Sequence, residues 1–314
     1  MFKPIKEAWS KSTSSLDASL SLHGSASSST PLSYTPSKPF GLTSDIDETL
    51  CMNTFDLYES MKLVQSEYVS PESHNPRASY LPYRRYLVDW MSDIGEQFNL
   101  HTTTIHTSVL FLDRIFREDG GRAPPPRSQW QLIATACISV ASKYEEAEEH
   151  CPPIPELLEV TKLYQSGHTP LSFRDGECEV LGYLNWTLRA VCPLHFVGFF
   201  LSKGVTYEAD LWQGRALIPK IPKYVKKYAE FFCNLTLQEY AFQRYSPSHL
   251  AAAIVMASRV ALNLSPRWRP DLASLTGYEE ADLEECYEKV FKYYEEQFPG
   301  HGSRSTSPKN VADL

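Results

Sequence analysis

The sequence has little glycine and none of the short motifs that accompany the commonest enzyme chemistries. Only 14 of its 314 residues are glycine, and it contains no Gly-rich phosphate loop, no His-x-x-x-His pair and no Gly-x-Ser-x-Gly elbow. The acidic residues at 145–149 are the most concentrated group of candidate metal or acid-base ligands. Consecutive glutamates without convergent partners are typical of a solvated helix end, so we expect no catalytic residues, no metal and no cofactor.

Long apolar runs and paired cysteines are also missing. The longest apolar run covers residues 250–257, which is too short to span a bilayer, and no apolar segment follows the N-terminal charges. None of the seven cysteines forms a Cys-x-x-Cys pair, and most lie in apolar stretches. We therefore expect reduced, buried cysteines, no membrane contact, and a protein of the nucleus and cytoplasm.

Positive charge is in deficit. The chain has 30 basic and 38 acidic residues, a formal charge of −8, so it lacks a global positive field for holding a polyanion. The one basic cluster, at 220–227, is short and has few interleaved aromatics. This argues against nucleic acid as a partner.

Serine and threonine accumulate at the N-terminus, where they make up 17 of the first 44 residues without apolar periodicity. Such a segment cannot bury enough surface to fold, so we predict a disordered tail over residues 1–50 and a second flexible tail over 300–314. Thr35 and Ser307 each precede proline with a basic residue nearby. They are candidate sites for a proline-directed kinase, although chance occurrence in a serine-rich tail explains them equally well.

Between the tails the apolar spacing is that of α-helices. Residues 81–98 repeat apolar side chains at steps of three and four, which places them on one helix face. Nine further stretches follow: 102–117, 130–143, 154–163, 174–186, 194–201, 216–234, 247–262, 270–275 and 281–297. No stretch alternates long enough to predict a sheet. The fold class is therefore all-α.

The two sets of five helices carry a weak internal repeat. Shifting the sequence by 116 residues places 134–143 on 250–259, and both stretches are apolar with small residues that allow close helix packing. Two five-helix units, each wrapped around a buried third helix, would explain the length. Chance similarity between two buried helices is the alternative.

Spaced motifs in the first set resemble the cyclin-box signature. They are residues 84–90 (RRYLVDW), 112–114 (LDR), 141–146 (ASKYEE) and Glu177 ahead of Leu184. Motifs of the second set, at 227–242, 245–248, 264–268 and 275–278, look most like those of the cyclin J family. The resemblance implies two tandem five-helix cyclin-box domains, the first over 51–192 with a preceding helix and the second over 193–299. It also implies a buried structural ion pair between Arg84 and Asp113.

A family function follows from the same resemblance. It implies a non-catalytic regulatory subunit that binds and activates a cyclin-dependent serine/threonine kinase in cell-cycle control. Lys143 and Glu177 match the contacts to the kinase's regulatory helix, and a lysine that ends an apolar helix has few local partners of its own. The implied kinase-binding residues are Lys143, Glu177, Tyr144, Val140, Glu146, Leu181, Trp186 and Leu188. Core packing is the competing reading for Val140 and Leu188.

Many cyclins carry a substrate-docking patch on the first helix, and here the match is incomplete. Leu87, Trp90, Arg127 and Gln131 keep the pattern, while Tyr83, Tyr86 and Trp130 replace smaller or more flexible groups. Docking of kinase substrates is thus an open expectation. Two rival functions also stay open: a kinase-independent adaptor with the cyclin fold, and a relative of basal transcription factors that use paired cyclin-like folds.

Overall fold

Eleven α-helices and three two-residue strands form the described part of the chain in the computed structural model, which comprises residues 36–41, 54–65, 79–117 and 122–298. The first six helices are α1 Thr54–Val64, α2 Leu81–Gln97, α3 Thr102–Ile115, α4 Trp130–Glu145, α5 Ile154–Val160 and α6 Pro170–Tyr183. The next five are α7 Pro193–Lys203, α8 Ile221–Leu237, α9 Pro247–Ala261, α10 Pro270–Thr276 and α11 Glu280–Gln297. The all-α prediction is confirmed.

The helices differ from the predicted stretches mainly at their starts. Prediction placed the start of α6 at Arg174, but the helix begins at Pro170, where Thr169 and Ser172 form a reciprocal capping box. Proline also occupies the first turn of α7, α9 and α10. A fixed backbone φ and a missing N–H suit proline to this position, so Thr-Pro was the start signal that apolar spacing could not supply.

A small sheet replaces the predicted start of the α8 helix. Strands β1 Leu211–Trp212, β2 Arg215–Ala216 and β3 Leu264–Ser265 pair antiparallel in the order β2-β1-β3. Gln213 and Gly214 both have positive φ, at 51° and 76°, as a two-residue hairpin turn requires. The strands are too short for apolar alternation to be visible in the sequence.

The two predicted central helices are the most buried ones. In α4 every residue from Leu132 to Ser142 is buried, and in α9 the same holds from Leu250 to Arg259. Helix α4 packs on α3 and α6, and α9 packs on α7 and α8. The alanines within these two buried stretches have no exposed surface, as expected where neighbouring helices approach closely.

Helix α1 precedes the first set in sequence but packs against the second. Tyr58 stacks on Phe199 with ring centroids 4.7 Å apart and meets Phe196 and Phe200 edge-on. Its hydroxyl donates to the Thr276 carbonyl at 2.9 Å. By its contacts, α1 therefore belongs with the second helical set rather than with the 51–192 segment to which its sequence position assigned it.

A short segment inside the predicted N-terminal tail is ordered against the second set. The Phe40 N–H donates to the Thr206 carbonyl at 2.7 Å, and the Thr206 hydroxyl returns a bond to the Phe40 carbonyl at 2.8 Å. Pro39 pairs with Tyr207 in an antiparallel bridge. The prediction of disorder across 1–50 is therefore wrong for 38–41, because backbone pairing stabilises a segment that lacks apolar periodicity. Thr35 and Ser307 lie outside the described residues.

Residues Lys38–Val290 pack as one compact unit. From Phe291 onward α11 belongs to another unit. Of the described cysteines, Cys137, Cys192, Cys233 and Cys286 are buried, Cys151 is half-buried and Cys178 is exposed, and all six are free thiols. The prediction of buried cysteines therefore holds for four of these six and is wrong for Cys151 and Cys178.

Candidate protein-binding surface

Arg84 and Asp113 form a buried pair that also joins the two helical sets. Arg84 Nε and Nη2 donate to the two Asp113 carboxylate oxygens, each at 2.8 Å. Arg84 Nη1 donates to the carbonyls of Leu237 and Gln238 at 3.0 and 3.1 Å. Burial alone would lower the pKa of Arg84, but the Asp113 charge and hydrogen bond outweigh it and raise that pKa. The pair therefore fixes both the α2–α3 register and the position of the α8 C-terminus.

Two neutral side chains also donate hydrogen bonds to Asp113, and the sequence analysis predicted neither contact. Tyr80 donates its hydroxyl to Asp113 Oδ1 at 2.9 Å, and Gln243 donates to Oδ2. Burial and the Asp113 charge raise the pKa of Tyr80 well above its ordinary value, so its hydroxyl keeps the proton that it donates. Gln243 follows Asp113 by 130 positions, and no local spacing could have revealed that contact.

Lys143 and Glu177 form a second pair, at the surface between α4 and α6. Lys143 Nζ donates to Glu177 Oε1 at 2.5 Å, and Ser139 Oγ donates to the same oxygen at 2.5 Å. The Lys143 side chain is 51 % exposed, whereas Glu177 is 10 % exposed. The packing of α4 on α6 gives Lys143 a local partner, Glu177, while half of the Lys143 side chain stays exposed.

Exposed aromatic groups flank this pair. Tyr144 is 49 % exposed and Trp186 is 72 % exposed, while Leu181 and Leu188 are half-buried. Trp186 and the preceding Asn185 have φ values of 57° and 50°, a region that bulky side chains rarely adopt. We name Lys143, Tyr144, Glu177, Leu181, Trp186 and Leu188 the α4–α6 surface. It combines an exposed cation with large apolar groups held away from the core.

Two of the predicted contact residues point inward instead. Val140 is buried, which favours its core reading. Glu146 accepts hydrogen bonds at the start of α3, from the His101 N–H at 2.7 Å and the Thr104 hydroxyl at 2.6 Å. It thus satisfies backbone and side-chain donors at a helix N-terminus, and its side chain is 2 % exposed. Glu145 similarly accepts from Thr107 at 2.9 Å.

These contacts correct the expectation for the acidic run at 145–149. The expectation of a solvated helix end holds for Glu148 and Glu149, which are exposed, but not for Glu145 and Glu146. The two inward glutamates find hydroxyl and amide donors on α3, because α4 packs along that helix. Their role in this structure is to anchor α3.

The predicted docking residues on α2 are only partly brought together. The Arg127 guanidinium lies over the Tyr83 ring at 3.9 Å, and Trp130 meets that ring edge-on at 5.7 Å. Tyr86 is exposed, while Leu87 and Trp90 are half-buried. Exposed aromatic faces with an adjacent guanidinium can hold an apolar or a cationic group.

Two others of that set are engaged inside the fold. Trp130 is buried against Tyr80 and Phe116 and donates its indole N–H to the Pro125 carbonyl at 3.0 Å. Gln131 donates to the Thr161 carbonyl at 2.6 Å. A docking patch on α2 would therefore rest mainly on Tyr83, Tyr86 and Arg127.

Within the described ranges, no helix is long and apolar enough to cross a membrane. The same residues bring no group of three or more His, Cys, Asp or Glu side chains into a metal-binding arrangement.

Two protein-family models match consecutive parts of the chain. The cyclin N-terminal domain matches residues 51–189, and the cyclin C-terminal domain matches residues 191–310. The chain belongs to the cyclin family. The family prediction from spaced motifs is thereby confirmed, and the architecture described above is that of two tandem cyclin boxes.

Curated cyclins match most of the chain at modest identity. Cyclin-J of Xenopus laevis is 30 % identical over 239 residues, which cover 75 % of this chain and 60 % of that protein. Cyclin-J of Homo sapiens is 29 % identical over 239 residues, or 75 % and 59 % of the two chains. The chain therefore spans about 60 % of the length of these cyclin J relatives. The G2/mitotic-specific cyclin-B of Spisula solidissima is 27 % identical over 242 residues, or 75 % and 49 %.

Solved structures share the fold at lower identity. A viral cyclin from herpesvirus saimiri superposes with a TM-score of 0.58 at 18 % identity, covering 77 % of this chain and 98 % of the viral one. A chain of the yeast RNA polymerase II CTD kinase complex CTDK-1 gives a TM-score of 0.50 at 15 % identity, covering 82 % and 73 %. At these identities the similarity establishes the two-box cyclin fold.

Proposed function

We propose that this cyclin is the regulatory subunit of a cyclin-dependent serine/threonine kinase in cell-cycle control, and that it binds the kinase through the α4–α6 surface. The observation that carries the proposal is the Lys143–Glu177 pair, set beside exposed Tyr144 and Trp186. Large aromatic groups and a cation at a rigid surface are the typical anchors of protein interfaces. We also propose that the protein acts in the nucleus and the cytoplasm.

The mechanism needs no catalytic group on the cyclin. A protein kinase is active only when the lysine of its third strand pairs with the glutamate of its regulatory helix. A partner that binds this arrangement better than the open one shifts the kinase population toward activity. The cyclin would contribute that differential binding free energy, and the kinase would bind ATP and Mg²⁺ and provide the catalytic base.

Kinase substrates would dock on the cyclin through Tyr83, Tyr86 and Arg127.

The test is a charge-swapped pair, Lys143→Glu with Glu177→Arg. The swap keeps the net charge and an internal ion pair, but it presents reversed charges to a partner. Tagged protein from dividing cells is purified, the associated kinases are identified by mass spectrometry, and histone phosphorylation is measured. We expect wild type to retain a cyclin-dependent kinase and the swapped protein to lose it.

A matched control uses the exposed Lys226–Glu230 pair on α8, 3.8 Å apart. Lys226→Glu with Glu230→Lys changes charge in the same way away from the α4–α6 surface and should leave kinase binding intact. If the swap at 143 and 177 co-purifies as much active kinase as wild type, the proposed surface is wrong. If wild type itself retains partners but no kinase, the adaptor function replaces the proposal.

A further inference from the structure

A cysteine, a histidine and a glutamate are aligned at the start of the second box. Cys192 is the N-cap residue of α7, and its backbone N–H donates to His195 Nδ1 in the first turn at 3.2 Å. Sγ also lies 3.1 Å from His195 Nδ1. On the far side of the imidazole, His195 Nε2 lies 3.9 Å from Glu145 Oε1. A thiol at this distance from an imidazole is the arrangement of an activated nucleophile, and the carboxylate acts on the imidazole through its charge.

The surroundings of Cys192 favour its thiolate form. Burial would raise the pKa of the thiol, but the positive charge of His195 and hydrogen bonds from His106 and His195 outweigh burial and lower that pKa well below its ordinary value. The thiolate in turn raises the pKa of His195 to about 9. The N-terminus of α7 adds its positive dipole end. The neutral form, with the proton on Sγ, and the ion pair, with the proton on Nδ1, differ only in the position of that proton.

His106 supports the arrangement from the first box. Its Nε2 lies 2.9 Å from Asn234 Oδ1 on α8, and His106 lines the same cavity as Cys192. The thiol thus sits where α3 of the first box meets α7 and α8 of the second.

Small molecules have space beside this thiol. A cavity of about 70 Å³ is lined by Cys192 and His106 together with Cys233, Thr236 and the apolar Leu110 and Leu250. One water needs roughly 10–15 Å³, so the cavity has room for a molecule of a few heavy atoms. The lining also includes Arg84 and Asp113, which bind each other. A cavity of this size favours a small electrophile.

We propose that Cys192 is a redox-sensitive modification site that reacts with small hydroperoxides. The sulfur attacks one peroxide oxygen, an S–O bond forms and the O–O bond breaks. The leaving hydroxide takes the proton of the His195 imidazolium and departs as water. Sulfur is oxidised to a sulfenic acid while the peroxide is reduced. The Glu145 carboxylate, 3.9 Å from Nε2, raises the pKa of His195 through its charge.

Cys233 is a built-in comparison for this reaction. It lines the same cavity and is also buried. Among the described residues, however, no imidazole lies within hydrogen-bond distance of its sulfur. Burial, and then the Cys192 charge, raise the pKa of Cys233 well above its ordinary value. The two thiols line one cavity but have pKa values shifted in opposite directions, so Cys192 should be oxidised faster.

The test is oxidation of the folded full chain by hydrogen peroxide at pH 6.5, with dimedone present to trap sulfenic acid and mass spectrometry to locate it. Trypsin releases the two thiols on separate peptides, residues 190–203 and 228–244. A thiol of ordinary pKa is only about 1 % thiolate at this pH. We expect the Cys192 peptide to be labelled at least ~10-fold faster than the Cys233 peptide. Equal labelling, or labelling of Cys192 only after urea unfolding, would overturn the proposal.

Variants separate the role of His195 from simple access. His195→Asn removes the proton source and should reduce Cys192 labelling to the level of Cys233. Cys233→Ser should leave Cys192 labelling unchanged, because the two thiols share space but not chemistry. Circular dichroism and the thermal midpoint check that each variant is folded. A folded His195→Asn protein that is labelled as fast as wild type would exclude the imidazole as the activating group.

Discussion

Arg84 uses one guanidinium to bind Asp113 in the first box and the Leu237 carbonyl in the second, at 2.8 and 3.0 Å. The family resemblance implied the first contact but not the second. Because all three groups are removed from water, loss of either charge leaves the other uncompensated in a low-dielectric site. The pair therefore links the two boxes and also fixes the α2–α3 register.

Asp113→Asn should destabilise the protein by about 3–5 kcal/mol, because it removes the charge that compensates buried Arg84. Urea unfolding at neutral pH, followed by tryptophan fluorescence, measures the effect. The double variant Arg84→Met with Asp113→Leu is the control, since an apolar pair needs no compensation, and it should recover part of the loss. A single variant within 1 kcal/mol of wild type would contradict the burial argument.

The first box was predictable from the sequence to the extent that its contacts are local. Apolar spacing located α2, α3 and α4 to within two residues at each end, since those helices bury one periodic face or nearly all of their surface. The sequence did not predict the backbone-paired segment at 38–41 or the hairpin at 211–216. Both are held by backbone hydrogen bonds to distant segments, and backbone pairing leaves no side-chain pattern to read.

Gly204→Ala should release the 38–41 segment. Gly204 has a φ of +89°, and an added Cβ would lie 2.7 Å from Pro39 Cβ, so the substitution is strained in both backbone and packing. We expect a loss of about 1 kcal/mol or more and faster hydrogen exchange at the Phe40 amide, which donates to Thr206.

Gly198→Ala is the matched control in the same region. Gly198 lies inside α7 with open space around its Cα, so alanine there should stabilise the helix by about 0.5–1 kcal/mol. Exchange at the Phe40 amide should not change. If Gly204→Ala leaves that amide as protected as in wild type, Pro39 does not depend on the close approach to Gly204.

Lys143 and Arg259 occupy equivalent places in the internal repeat but should differ sharply in their effect on stability. Arg259 has no exposed surface and binds both Asp210 oxygens at 2.7 and 3.0 Å, whereas Lys143 is half-exposed. Arg259→Ala should cost about 3–5 kcal/mol, and Lys143→Ala less than about 1 kcal/mol because water screens the pair. Urea midpoints compare the two. Equal losses would show that Lys143 is a structural residue rather than a free contact.

The same comparison explains why the candidate site was only partly predictable. Sequence spacing put Lys143 and Arg259 at matching helix ends, but burial depends on what packs there. In the second box Asp210 and the Val205 and Pro266 carbonyls enclose the cation. In the first box Glu177 pairs with Lys143, and the Lys143 side chain stays 51 % exposed. Glu146 failed as a surface prediction for the related reason that α3 supplies donors for it.

The Cys192–His195 pair should give the protein a stability plateau near neutral pH. A lowered thiol pKa adds stability that is present above the unfolded value of about 8.5 and lost on acidification; a raised histidine pKa adds stability present below about 6.5 and lost as pH rises through about 9. Between roughly 6.5 and 8.5 the two dependences cancel, because folding then moves a proton from sulfur to imidazole without changing the number bound.

Thermal midpoints measured from pH 5 to pH 10 check this expectation. Wild type should be flat across the plateau and should lose stability between about pH 8.5 and about pH 9, where folded His195 still holds a proton while the unfolded chain has released its own. Above about pH 9 the curve should level off. The difference between wild type and His195→Asn should be largest on the plateau and should shrink at the alkaline end. Glu145, His106 and Cys233 also face the pair and are present in both proteins, so their titration contributes similarly to both curves. A difference that stays constant from pH 7 to pH 10 would mean that His195 is neutral in the folded protein and serves only as a helix cap.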